Sequence, residues 1–299
     1  MIHLPRLQQF PDSFSSLRKL LALFAALALV PVPATAVTQL KSETRGAFER
    51  YIRLTDQQMD RDWKAGRFLA VDRLPASDRE RVYAQLQQGQ LYIENLKTLD
   101  EAGKPLHAPS GLIHDWVGIV FIRGATRDQA LRLLEDYDSQ AAIFSPDVRS
   151  ARILEKNGNL EKVLVQYYQR SLVTVTFNVN FDVESTDFAP NRVQSRACST
   201  RIAEVADAGK PTEHELPVEN DHGYMWRLYS YWRIEEKDGG VYIQNESIEL
   251  SRSIPVALAW IVGPLTKSIP RDVLGRLLEK SRMALLREQP DATPAAASR

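Results

Sequence analysis

The chain has 299 residues, 38 of them basic and 38 acidic, a formal net charge of zero and a single cysteine. That balance gives no electrostatic footing for nucleic acid or for an anionic membrane surface. One thiol cannot form an internal disulfide, and the length fits one large domain, or one domain with an appendage, around a substantial core.

Residues 1–36 read as a secretory signal. Arg6, Arg18 and Lys19 are its positive start, and LLALFAALALV (Leu20–Val30) is its apolar stretch. Pro31-Val32-Pro33 breaks that stretch, and Ala34-Thr35-Ala36 supplies the small residues for cleavage. Eleven apolar residues make about 16 Å of helix, too short for a hydrocarbon core of about 30 Å. The alternatives are an uncleaved anchor and a buried helix. No cysteine follows the site to carry a lipid anchor. Cleavage near Ala36 leaves 35 basic and 37 acidic residues, no transmembrane span, and a periplasmic or secreted chain.

Residues 41–64 have helical periodicity, with Phe48, Ile52, Met59 and Trp63 on one stripe and Gly66 as a stop. Arg67–Leu74 reads as a short strand. Ser77 and Glu80 have capping-box spacing for a helix to about Gln88, and Leu91–Thr98 reads as a strand. We take 37–110 as an N-terminal appendage. Its amphipathic helix, within 37–66, either docks on an envelope protein partner or packs on the chain's own sheet.

From residue 111 the order is clearer. Leu112–Arg123 is a strand. Thr126 and Gln129 cap a helix whose stripe is Ala130, Leu133, Leu134, Tyr137 and Ala141. Val148–Lys156 and Leu160–Gln169 flank the hairpin signal Asn157-Gly158. In Leu172–Glu184, Val173, Val175, Phe177, Val179, Phe181 and Val183 share one face. Arg192–Val205 follows, then a polar loop, Ala206–Gly223. Tyr224–Glu236 and Val241–Arg252 form a hairpin across Asp238-Gly239. The apolar run Val256–Val262 reads as a connector between Pro255 and Pro264, with Trp260 as a plug. The last helix is about Pro270–Arg287, with stripe Leu274, Leu277, Leu278, Ser281 and Leu285. Residues 288–299 read as a disordered tail.

An antiparallel sheet of six or more strands has a face to bury, and the last helix is the element to cover it. A barrel with peripheral helices is the alternative. The order strand–helix–six strands–helix resembles the START-like (SRPBCC) superfamily, in its polyketide cyclase/dehydrase and coenzyme-Q-binding branch. GLIHDWVGIVFIRGAT (111–126), LLEDYDSQAAIFSPDV (133–148) and GGVYIQNESIELSRSIP (239–255) carry the resemblance. It implies an α+β helix-grip fold over 111–287, a curved antiparallel sheet wrapped on a long C-terminal helix, with a hydrophobic ligand between them.

A two-residue turn at Asp238-Gly239 puts Asn245 opposite Trp232, Ser247 opposite Ser230 and Glu249 opposite Leu228. Trp226, Leu228, Ser230, Trp232, Asn245, Ser247 and Glu249 then share the concave face, and Glu246 points outward. On the neighbouring strand Ser195, Ala197, Ser199 and Arg201 share that face. Their small side chains leave volume for a ligand, or Trp226, Trp232 and the last helix fill it. With Phe177, Val179 and Trp260 these are the candidate ligand-binding residues. Arg201 and Glu249 either form an internal polar spot or sit at strand ends in solvent.

His107, His114, His214 and His222 have no metal-ligand spacing, and no nucleophile elbow, P-loop or dinucleotide fingerprint occurs. Cys198 has no local base and reads as an inert thiol. No cofactor or metal is implied. The expectation is an exported binding or carrier protein for a hydrophobic small molecule: lipid, isoprenoid or polyketide-like. The alternatives are a cyclase/dehydrase-type enzyme, with Arg201, Glu249 and a tyrosine as acid and base, and an envelope interaction module without a ligand.

Overall fold

The computed structural model describes residues 37–170, 174–253 and 259–289, with backbone alone over 259–269. In chain order it has β1 (Thr38–Gln39), α1 (Ser42–Lys64), a 3-10 turn (Ala70–Arg73), α2 (Ala76–Gln87), β2 (Tyr92–Asn95) and β3 (Gly111–Arg123). Then come α3 (Arg127–Glu135), α4 (Tyr137–Ile143), β4 (Val148–Asn157), β5 (Leu160–Arg170), β6 (Thr174–Ala189) and β7 (Arg192–Ala206). The short β8 (His214–Glu215) and β9 (Asn220–Asp221), β10 (Arg227–Lys237), β11 (Gly240–Arg252) and α5 (Ala259–Arg287) complete it. The proposed signal at 1–36, Leu172 and Val173, residues 256–258, the Trp260 side chain and the tail from 290 lie outside the described residues.

The long strands form one antiparallel sheet in the order β2-β3-β11-β10-β7-β6-β5-β4. The crossover through α3 and α4 carries the chain from β3 to the far edge at β4, and the strands return one by one until β11 closes on β3. This is the α+β helix-grip arrangement: a curved sheet with the C-terminal helix α5 lying across it.

Both faces of the sheet are covered, which explains why β3 has almost no polar alternation. Val120 and Ile122 face Leu274 and Leu278 of α5. Val117, Ile119 and Phe121, on the other side, face Phe68, Val71, Val82 and Leu86. The second face is thus buried under residues 37–110. Phe48, Ile52 and Met59 of α1 pack with Tyr231, Ile248 and Leu250 of the sheet. Polar bonds fix the register of this layer. Tyr51 donates to Asp115 at 2.8 Å, Tyr231 donates to Asp56 at 2.8 Å, and the Ala70 N–H donates to Gln244 at 2.7 Å. Glu246, expected to point outward, does lie on this face, but it is 1% exposed because the N-terminal segment covers it.

Several local expectations are corrected. Arg67–Leu74 is not a strand: Asp72 accepts the N–H groups of Phe68 and Leu69, both at 2.9 Å, and curls the chain into the 3-10 turn. The Ser77–Glu80 box does not form, because α2 starts two residues earlier, at Ala76 with Pro75 as its N-cap. The first helix after Thr126 stops at Glu135, where Asp136 caps a separate α4 through the Ser139 N–H at 3.2 Å. Asn157 pairs with Leu160, so the turn residues are Gly158-Asn159, with Gly158 in the left-handed region at φ 61°. β6 runs on to Ala189. The last helix begins at Ala259, so residues 259–262 of the expected connector are helical; a short apolar run carries no period that separates the two. The Thr126–Gln129 capping box forms, with the Thr126 N–H donating to Gln129 at 2.9 Å.

The loop 206–223 is tied down at its end. Glu204 accepts the N–H groups of His222 at 3.2 Å and Tyr224 at 3.1 Å, and β9 pairs with β1.

Candidate functional site

β10 and β11 pair as a two-residue turn requires: Trp232 faces Asn245, Ser230 faces Ser247, and Leu228 faces Glu249. β7 joins the row, with Ser195 opposite Trp232 and Ala197 opposite Ser230. Between this floor and the helices lies a cavity of about 200 Å³. Its far wall is Val163, Val165 and Tyr167 of β5 with Phe177, Phe181 and Val183 of β6. Its roof is Leu134, Tyr137 and Phe144 with Val273 and Leu277 of α5. Apolar side chains supply the walls, and a few polar groups converge on one side of the floor.

That polar side is built from β10 and β11. Asn245 Nδ2 donates to Ser230 Oγ at 2.7 Å. Ser247 Oγ donates to Glu249 Oε1 at 3.4 Å. Among the described residues no cation forms an ion pair with Glu249. It lines the cavity, and burial pushes its pKa up to about 6. Tyr167 feels the same acid: burial, and then the Glu249 charge, hold its hydroxyl above the usual tyrosine range. His114 is the β3 residue opposite Glu249. Its Nε2 lies 3.2 Å from Ser251 Oγ, and burial lowers its pKa. At the mouth, Lys280 of α5 reaches Asp147 at 3.1 Å and the Phe144 carbonyl at 3.2 Å, and Arg276 donates to Asp147 at 2.8 Å.

Of the residues singled out in the sequence, Phe177, Ser195, Ala197, Leu228, Ser230, Trp232, Asn245, Ser247 and Glu249 line this cavity. Val179 is on the same face but is fully packed, paired to Val165 and Ile202. Ser199 is used up locally, its Oγ accepting the Leu228 N–H at 3.0 Å. Arg201 is elsewhere. Asn180 pairs with Arg201 while Phe181 pairs with Ser199, so Thr200 is an extra residue that flips the alternation. Arg201 lands on the outer side, bound to Glu215 at 3.2 Å, and no Arg201–Glu249 polar spot exists. Trp226 lies before the regular ladder of β10; it packs with Phe48, Ile248 and Leu250 and donates to Asp221 at 3.2 Å. The Trp260 side chain is outside the described residues.

Sequence reasoning missed the β5 side of the wall. The signal was present: Val163, Val165 and Tyr167 alternate, and they pair with Phe181, Val179 and Phe177. It also missed the roof from α4, which depends on the path of the α3–α4 crossover. Among the described residues no helix is long and apolar enough to cross a membrane, and no group of three or more His, Cys, Asp or Glu is placed to hold a metal ion.

No family model matches the sequence, and no curated protein matches it. Solved structures that resemble the fold are START-type proteins, the superfamily that the sequence itself resembles. A STAR-related lipid transfer protein from Xanthomonas axonopodis matches at 15% identity over 64% of this chain and 98% of that one, with a TM-score of 0.38. The Zhui aromatase/cyclase from a Streptomyces species matches at 14% identity over 60% and 98%, TM-score 0.40. A START superfamily protein from Mycobacterium smegmatis matches at 10% identity over 60% and 99%, TM-score 0.37.

Proposed function

We propose that this chain is an exported binding or carrier protein for a small hydrophobic molecule, held between the sheet and α5. The observation that supports it is the cavity itself: about 200 Å³, apolar on three sides, with one acid on its floor. Native interiors are close-packed and hold few voids larger than a water molecule. A dry apolar cavity of about 150 Å³ takes a benzene, and pockets for drug-sized ligands run to about 300–1,000 Å³. The size therefore favours a ring-sized or short-chain member of the lipid, isoprenoid or polyketide-like classes. Export rests on the signal-like residues 1–36.

Mass spectrometry of an organic extract of the purified protein tests the reading. It is expected to show one apolar compound in stoichiometric amount. An empty extract, together with no binding of isoprenoid, short fatty-acid or aromatic probes, would reject it.

A second reading is supported by Glu249 alone. A carboxyl in a cleft with its pKa near 6 has the poise of a general acid or base, and Tyr167 is its tyrosine neighbour. Arg201 takes no part. Turnover of a polyketide-like substrate that Glu249→Gln abolishes would favour an enzyme over a carrier. For the envelope-module reading, Phe48, Ile52 and Met59 of the stripe that suggested it are already buried against the chain's own sheet, and Trp63 is half-buried, which leaves that reading little apolar surface to dock with.

A further inference from the structure

On the face of the sheet opposite the cavity, α1 and the chain after it enclose a second hollow of about 200 Å³. Its apolar wall is Trp63, Phe68 and Phe188, whose ring centroids lie 4.7 to 5.9 Å apart. Its other side is Arg67, Arg196 and Arg233.

Arg233 decides what the hollow can hold. The residue is 4% exposed. Its Nε donates to Gln194 and its Nη1 to the Phe68 carbonyl, both at 2.9 Å, and among the described residues Nη2 makes no hydrogen bond. Among the described residues no carboxylate oxygen lies within 4.0 Å of the guanidinium. The neighbouring acids are committed elsewhere. Asp56 accepts from Arg196 at 2.9 Å and from Tyr231 at 2.8 Å. Asp62 is bridged by Arg67 at 2.9 Å and Arg73 at 2.7 Å. Asp60 sits exposed at the rim. Glu246 is on the same face, diagonal to Arg233 in the ladder; burial raises its pKa and the Arg233 charge opposes that shift, but it makes no ion pair with the guanidinium within 4.0 Å. A buried cation with no carboxylate in direct contact is costly.

We propose that this hollow is a second ligand site, which takes a small aromatic carboxylate. The ring lies against Trp63, Phe68 and Phe188, and the carboxylate meets the open edge of the Arg233 guanidinium beside Arg67. A planar fork suits a planar carboxylate. The volume suits one substituted ring, since about 150 Å³ already holds benzene.

The test is a titration of the full chain with benzoate, followed through the indole N–H resonances. Trp63 lines the hollow and Trp232 lines the first cavity, so the two resonances separate the sites. The expected result is a saturable shift of Trp63 with Trp232 unmoved, and no shift with benzyl alcohol. Arg233→Lys keeps the charge but loses the fork, and is expected to weaken binding about tenfold or more. Phe188→Ala removes half-buried ring contact at the end of β6 and is expected to weaken it too, which covers the case of a misfolded Arg233 variant. No Trp63 shift up to about 10 mM benzoate, equal binding of benzyl alcohol, or unchanged affinity in the folded variants would overturn the proposal.

Discussion

Glu249 is the residue on which the chemistry of the cavity turns. Its pKa in the folded chain is pushed up to about 6 by burial, above about 4.3 for an unperturbed glutamate. Between those values the folded chain holds the extra proton, so stability falls as pH rises through the window and is level beyond it. The loss at neutral pH is about 2 kcal/mol, at 1.36 kcal/mol per unit. Glu249→Gln is therefore expected to stabilise the protein by about 2 kcal/mol at pH 7.5 and to leave it unchanged at pH 4. Urea denaturation at the two pH values checks this, and an equal effect at both would contradict it. Asp221, also pushed up to about 6 by burial and then by Glu204, acts in both proteins and cancels in the comparison. The position of Glu249 was legible because a two-residue turn fixes the parity of every side chain after it. The position of Arg201 was not, because the bulge at Thr200 leaves no mark in the residue pattern.

Among the elements, α5 sets the roof of the cavity, and Gly118 sets how closely α5 approaches. A side chain at Gly118 would meet Leu278 Cδ1 at 2.6 Å and Leu274 Cγ at 3.1 Å. Both leucines are buried, so neither can swing away into solvent. Gly118→Val is expected to cost about 1–3 kcal/mol by overpacking, read as a lowered melting temperature. A variant as stable as the parent would mean that α5 does not rest on β3 as described. The elements themselves were largely legible. β3, β7, β11, the Thr126 cap and the stripe of α5 all carry a local pattern. The Arg67–Leu74 turn did not, because Asp72 decides it through two backbone bonds that compete with extended structure. The start of α5 did not either, because Val256–Val262 has no period.

The whole molecule is a sheet covered on both sides, and this was the largest gap in the sequence reading. Residues 37–110 carry their own helical signals, and nothing local says what they lie on. The packing of Phe48, Ile52 and Met59 on the sheet, and the pairing of Tyr51 with Asp115 and of Tyr231 with Asp56, reveal that they cover the outer face. With most of that face covered, the volume on the inner face, among Phe177, Ala197, Ser230 and Glu249, is the one between sheet and α5 that asks for an occupant. The most direct test of that claim is to fill it. Ala197 lines the floor, and Ala197→Phe puts a ring into the cavity at a site that is already apolar. Binding of an apolar fluorescent probe, compared between the parent and Ala197→Phe, is the measurement. The account predicts saturable binding to the parent, and affinity weakened about tenfold or more, or about 1.4 kcal/mol, in a variant at least as stable. Equal binding by both proteins, or none by the parent, would contradict it.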